Sequence, residues 1–124
     1  DETIAMSSMY AANHLGAKVV ATLTQTGKTA LWMSRISSNI AIFAMSDNYK
    51  TLKKVTIYRG VYPCYIDKTS ADDWNHVNTH VIENLENKSQ VEKGDIVIVT
   101  KGMHKDKSGG TNLMKILRVG DGNY

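Results

Sequence analysis

The strongest constraint on this chain is an alternation. Runs of aliphatic and β-branched residues at 18–23, 40–45, 61–66 and 96–99 are separated by stretches with helical spacing. Short continuous apolar runs of this kind read as strands buried on both faces. The segment 2–15 reads as a helix, because Ile4, Met6, Met9, Tyr10, Ala12 and Leu15 recur at mostly helical intervals. Acids open that segment and Gly16 follows it, as helix ends prefer. Residues 29–37 place Leu31, Trp32, Arg35 and Ile36 at similar intervals. Ser46 reads as the N-cap of a helix over 47–57, and Arg59-Gly60 ends it. Trp74, Val77, Val81 and Leu85 share one side of a helix over 71–87. Residues 113–119 form a last strand that follows its neighbour with no helix between.

Strands alternating with helices predict an α/β fold with right-handed crossovers, a mostly parallel sheet and helices on both faces. The last strand is expected to be antiparallel. Pro63 has no N–H to give a sheet ladder, which places the third strand at an edge. The 124 residues suit one domain, 1–124, with no internal repeat.

The longest apolar run, 40–45, falls far short of the roughly 20 residues of a membrane-spanning helix. The chain opens on Asp1-Glu2-Thr3, acidic where a signal peptide would be basic. No membrane partner is expected. One cysteine, Cys64, excludes an internal disulfide and points to a reducing, cytoplasmic home. Basic residues exceed acidic ones by 15 to 12, spread from Lys18 to Arg118. A nucleic-acid binder gathers such charge into a stripe. This dispersed excess serves an anionic small molecule as readily. Without Met at its start, the chain reads as a piece of something longer.

The best chemical signal is Thr24-Gln25-Thr26-Gly27-Lys28-Thr29. It leaves a strand and opens a helix, so it sits where parallel sheets bind ligands. Unpaired N–H groups, three threonine hydroxyls and a lysine suit a phosphate. It is not a Walker A loop, which requires glycine where Thr22 stands. Spacing alone leaves it between a phosphate cradle and an ordinary capped turn. A second loop, 101–112, carries Lys101, Lys105 and Lys107 with Ser108, Gly109 and Gly110. Alone it is a hairpin tip; beside the first loop it completes an anion site. His76, His80 and Glu83 have a spacing that could hold a metal, but they face away from the apolar stripe and read as solvated surface. Cys64, Trp32 and Trp74 read as core residues, and Asp47, Asp72 and Asp73 as helix-start acids. No nucleophile–base pair or paired carboxylates can be assembled, so no catalytic residue is expected.

Several ordered segments then resemble one family. They are 2–7 with 10–13, the loop 24–29, Ser34-Arg35-Ile36-Ser37-Ser38, Ile42-Phe43-Ala44-Met45-Ser46, Tyr58-Arg59-Gly60-Val61, 94–100 and 109–112. Together they are similar to the C-terminal domain of pyruvate kinase, closest to the bacterial type activated by sugar monophosphates or AMP. The resemblance implies a three-layer fold on a five-stranded mixed sheet of order 3-2-1-4-5, the strand from Leu113 antiparallel. It implies that the catalytic barrel, with its Mg²⁺, K⁺, ADP and phosphoenolpyruvate, lies upstream of Asp1, and that this portion alone is inactive and needs no cofactor. It implies an allosteric effector site and a subunit contact in a homo-oligomer, a tetramer for the parent enzyme. The effector phosphate falls to Thr24, Thr26, Gly27, Lys28 and Thr29. The loop of Lys101, Lys105, Lys107, Ser108, Gly109 and Gly110 closes over the ligand. Members activated by fructose 1,6-bisphosphate hold a second phosphate with a tryptophan and a following arginine. Here Trp74 stands in the tryptophan position, as a possible stacking surface, but Val81 replaces the arginine. The resemblance therefore implies a monophosphate effector and no nucleic-acid partner. The alternative is a purely structural oligomerisation domain with a vestigial phosphate loop.

Overall fold

A computed structural model describes residues 2–36, 38–67, 74–101, 113–122 and 124. The element order is α1 (Glu2–Leu15), β1 (Val19–Leu23), α2 (Lys28–Ser34), β2 (Ala41–Ser46), α3 (Tyr49–Val55), β3 (Val61–Tyr65), α4 (Trp74–Asn87), β4 (Ile96–Lys101) and β5 (Leu113–Arg118). The sheet has five strands in the order β3-β2-β1-β4-β5. Its pairs are parallel except β4 with β5, which are antiparallel. The expected α/β architecture and strand order are therefore observed.

Side chains alternate across the pleat and divide the core in two. Val19, Ala21, Leu23, Phe43, Met45, Val97 and Val99 face one side, with Val77, Val81, Ile82 and Leu85 of α4. Val20, Ile42, Ala44 and Ile98 face the other, with Ala5, Met9 and Ala12 of α1, Ala30 and Met33 of α2, and Val55 of α3. Three helices thus cover one face and one covers the other. Every residue of β1 is buried, as a central parallel strand requires. Each fully buried aliphatic side chain contributes about 1.5–3 kcal/mol relative to exposure.

The helices differ from expectation in three places. In α1 the buried residues are Ala5, Ser8, Met9 and Ala12. Met6, Tyr10 and Leu15 are exposed instead. Small side chains let the helix axis approach the sheet and α2, which turns the large ones outward. Tyr10 stacks on His14 there, with ring centroids 5.5 Å apart. The second correction concerns α3. Its N-cap is Asn48, whose Oδ1 accepts from Lys50 N at 3.0 Å. Ser46 stays in β2, opposite Tyr65 in the register, and its Oγ accepts from Asn48 N at 3.1 Å. The pull of one more ladder rung keeps Ser46 extended. Third, α2 ends at Ser34 and α3 at Val55, both short of the expected ends. Arg35 lies over the Trp32 ring, 5.0 Å from its centroid.

Pro63 lies in β3 at the edge of the sheet, as its missing N–H predicts. The Ile66 N–H reaches back to Ser46 O at 3.1 Å. By strand alternation the position of the Pro63 nitrogen therefore faces outward, where no ladder bond is lost.

Candidate functional site: the turn between β1 and α2

β1 hands the chain to the turn with one last sheet bond, Thr24 N to Met45 O at 3.0 Å. The turn then closes on itself. Gly27 N donates to Thr24 Oγ1 at 2.8 Å. Lys28 N makes a long contact to Thr26 Oγ1 at 3.4 Å. Gly27 is the N-cap residue of α2, with φ 83 and ψ 3, in the left-handed region that favours glycine. It provides no side-chain cap, so the first N–H groups of α2 receive none from it.

Of the five residues expected to hold a phosphate, Lys28 is exposed and Thr26 half-buried, while Thr24, Gly27 and Thr29 are buried. Thr24 has a structural task as the acceptor of the Gly27 amide. Thr29 is 1% exposed, so its side chain is withdrawn from solvent. The surface available to an anion is therefore the backbone of the turn with Thr26 and Lys28.

Sequence reasoning missed the support beneath it. Thr51 Oγ1, on α3, donates to the Gln25 carbonyl. Lys54 Nζ, also on α3, donates to the Thr26 carbonyl at 3.1 Å. A Cβ at Gly27 would meet Val55 Cγ1 at 2.9 Å and Thr51 Cγ2 at 3.6 Å. The turn is seated directly on α3. The signal that could have found this is the crossover rule, which puts α2 and α3 on one face of the sheet. Two cations stand at the turn, Lys28 beside Thr26 in the chain and Lys54 on the Thr26 carbonyl, while Asp47 follows β2 at the same end of the sheet.

β4 lies beside β1 in parallel, with Thr100 opposite Thr22. The segments following both strands leave from neighbouring strand ends. Lys101 closes β4 and is half-buried. Lys105, Lys107, Ser108, Gly109 and Gly110 lie outside the described residues, as do Asp72 and Asp73. Trp74 begins α4, and its side chain is likewise outside the description. His76 and Glu83 are exposed and His80 half-buried. Among the described residues no group of three or more His, Cys, Asp or Glu is placed to hold a metal. Cys64 is buried on β3, and desolvation pushes its thiol pKa up against a weaker opposing pull from Lys88.

The model of the family described as "Pyruvate kinase, alpha/beta domain" matches residues 2–117. The chain belongs to the pyruvate kinase family. Among its relatives, pyruvate kinase of Buchnera aphidicola subsp. Schizaphis graminum is 48% identical over 120 residues, covering 96% of this chain and 24% of that protein. Pyruvate kinase II of Salmonella typhimurium is 46% identical over 120 residues, covering 96% of this chain and 25% of that protein. Pyruvate kinase of Clostridium acetobutylicum is 33% identical over 115 residues, covering 93% of this chain and 24% of that protein. The chain spans about a quarter of the length of these relatives. In this pyruvate kinase α/β domain the turn on α3 lies at the carboxyl end of the central strand. That is the end of a parallel sheet at which ligands bind.

Proposed function

We propose that this domain binds a phosphorylated effector, a sugar monophosphate or AMP, and carries a subunit contact of a pyruvate kinase. The single observation that carries the effector reading is the turn Thr24–Thr29. Its backbone is seated on α3 at the end of the central strand, and two cations, Lys28 and Lys54, stand beside Thr26. Thr26 and Lys28 would meet the phosphate directly, and Thr24, Gly27 and Thr29 would shape the turn. Lys101 with Lys105, Lys107, Ser108, Gly109 and Gly110 would close over the ligand, and Trp74 would offer a stacking face.

The parent activity is proposed to be phosphate transfer from phosphoenolpyruvate to ADP in the cytoplasm. Its Mg²⁺ and K⁺ are assigned to a barrel beyond these residues, and the domain alone is expected to transfer no phosphate. A homo-oligomer, a tetramer in the parent, would transmit the signal. An effector shifts such an assembly only by contacting one quaternary state better than the other. Calorimetry with ribose 5-phosphate, AMP and fructose 1,6-bisphosphate tests the reading. At least one monophosphate should bind, and Lys28→Ala should weaken it about tenfold, the scale of one charge-assisted hydrogen bond. Wild-type affinity in that variant would remove Lys28 from the site.

One observation favours the structural alternative. The Gly27 amide is already satisfied by Thr24, and the Thr24 and Thr29 side chains are buried. A domain that only joins subunits would bind none of the three esters and still associate.

A further inference from the structure

The turn is held by two side chains that lie 26 and 28 residues away from the carbonyls they bind. Thr51 Oγ1 takes the Gln25 carbonyl and Lys54 Nζ takes the Thr26 carbonyl at 3.1 Å. No cis peptide bond occurs among the described residues. In a trans peptide the C=O and the next N–H point in opposite directions. Drawing both carbonyls onto α3 therefore turns the Thr26 and Gly27 N–H groups away from α3. The Gly27 N–H meets Thr24 Oγ1 on that side. A carbonyl released from α3 could swing toward the anion and repel it. Val55, Thr51 and Tyr58 close the space beneath Gly27, so the turn has no room to sink.

We propose that Thr51 and Lys54 are positioning residues of the turn, which hold two peptide carbonyls on α3 so that neither carbonyl faces a bound phosphate monoester. This inference rests on the effector reading of the same turn. Thr51 is 4% exposed and Val55 fully buried, so α3 can act as a fixed base. Lys54 is exposed and sits on the carbonyl by its own reach. Its charge adds to the field at the turn, so the test must separate charge from position.

The experiment compares Thr51→Val, Thr51→Ser, Lys54→Met and Lys54→Gln with the wild-type protein. Two readouts are taken: hydrogen exchange of the Thr26 and Gly27 amides, and calorimetric titration with ribose 5-phosphate. Thr51→Val keeps the shape and removes the donor. It should speed Gly27 exchange about fivefold and weaken ribose 5-phosphate by a similar factor, the scale of one neutral hydrogen bond. Thr51→Ser should restore both. Lys54→Met should weaken binding about tenfold, and Lys54→Gln, a neutral donor, should recover part of the loss together with slow exchange. Unchanged exchange in Thr51→Val overturns the role of Thr51. Equal losses in Lys54→Met and Lys54→Gln with unchanged exchange overturn the role of Lys54 and leave it a charge alone. If the wild-type protein binds no phosphate ester, the effector reading fails, and the exchange rates still decide whether α3 holds the turn.

Discussion

Thr100 Oγ1 donates to Thr22 Oγ1 at 2.9 Å, joining β4 to β1 by a side-chain bond beside the backbone ladder. Both residues are fully buried. They form the last pair of the β1–β4 register, one residue before each strand ends and gives way to the turn or to the β4–β5 connection. Hydroxyls at this depth need each other, because an unpaired buried polar group costs about 1–3 kcal/mol.

Thr100→Val is therefore expected to lower stability by about 1–2 kcal/mol, since it strands the Thr22 hydroxyl. Thr22→Val with Thr100→Val removes both polar groups and should recover most of that loss. Urea unfolding of the two single variants and the double variant measures the coupling. Additive losses would show that the bond contributes nothing.

Gly27→Ala is expected to cost about 2–3 kcal/mol, from left-handed backbone strain and from overlap with Val55. Val55→Ala creates space at the same place. The double variant should lose less than the sum of the two singles, because the overlap disappears. Thermal unfolding of all three variants checks this, and strict additivity would remove the contact from the account.

Asn48→Ala should cost about 1 kcal/mol by removing the acceptor of the Lys50 and Thr51 amides. Asn48→Asp keeps the acceptor and should stay close to wild type. Because Thr51 is one of the capped residues, Asn48→Ala should also speed exchange at Gly27. Chemical denaturation and amide exchange read the two effects separately.

Burial holds the Cys64 thiol pKa above its ordinary value in the folded protein. The unfolded thiol ionises first as pH rises, near its usual value of about 8.5. The stabilising preference for the neutral thiol is complete below that pH. It is lost progressively as pH rises through the folded pKa. Stability should therefore fall on the alkaline side, and Cys64→Ala should flatten that limb while lowering stability at pH about 7 through lost packing. Urea midpoints across the alkaline range test the sign. A thiol reagent should react with wild type only as fast as β3 opens.

The sheet was legible in the sequence because its strands are buried on both faces. Runs such as Ile96–Val99 carry no competing polar period. Pro63 named the edge for the same reason that places it there. Helix faces were harder to read. In α1 the packing selects small residues, Ala5, Ser8 and Ala12, and leaves Met6 and Tyr10 outside, against the order of hydrophobicity. The cap of α3 was misplaced because Ser46 and Asn48 are both good caps, and only the pairing with Tyr65 decides between them. At the turn, the residues from Thr24 to Thr29 announced themselves by composition. Thr51 and Lys54 did not, since nothing local to them signals a partner in another βα unit.

The edge at β3 has a consequence for the protein in crowded solution. Outward-facing amides on a terminal strand are what a foreign strand needs to add itself to a sheet. By the alternation seen at Ile66, those on β3 belong to positions 61, 63 and 65. Val61 spends its N–H on Tyr58 O at 3.2 Å, and Pro63 has none. That leaves Tyr65 alone in the row, too little for a second strand to grip. The β3 edge is thereby guarded against growing into fibrils without a single charge on the strand, whereas β5, the opposite edge of the sheet, carries Lys115 and Arg118.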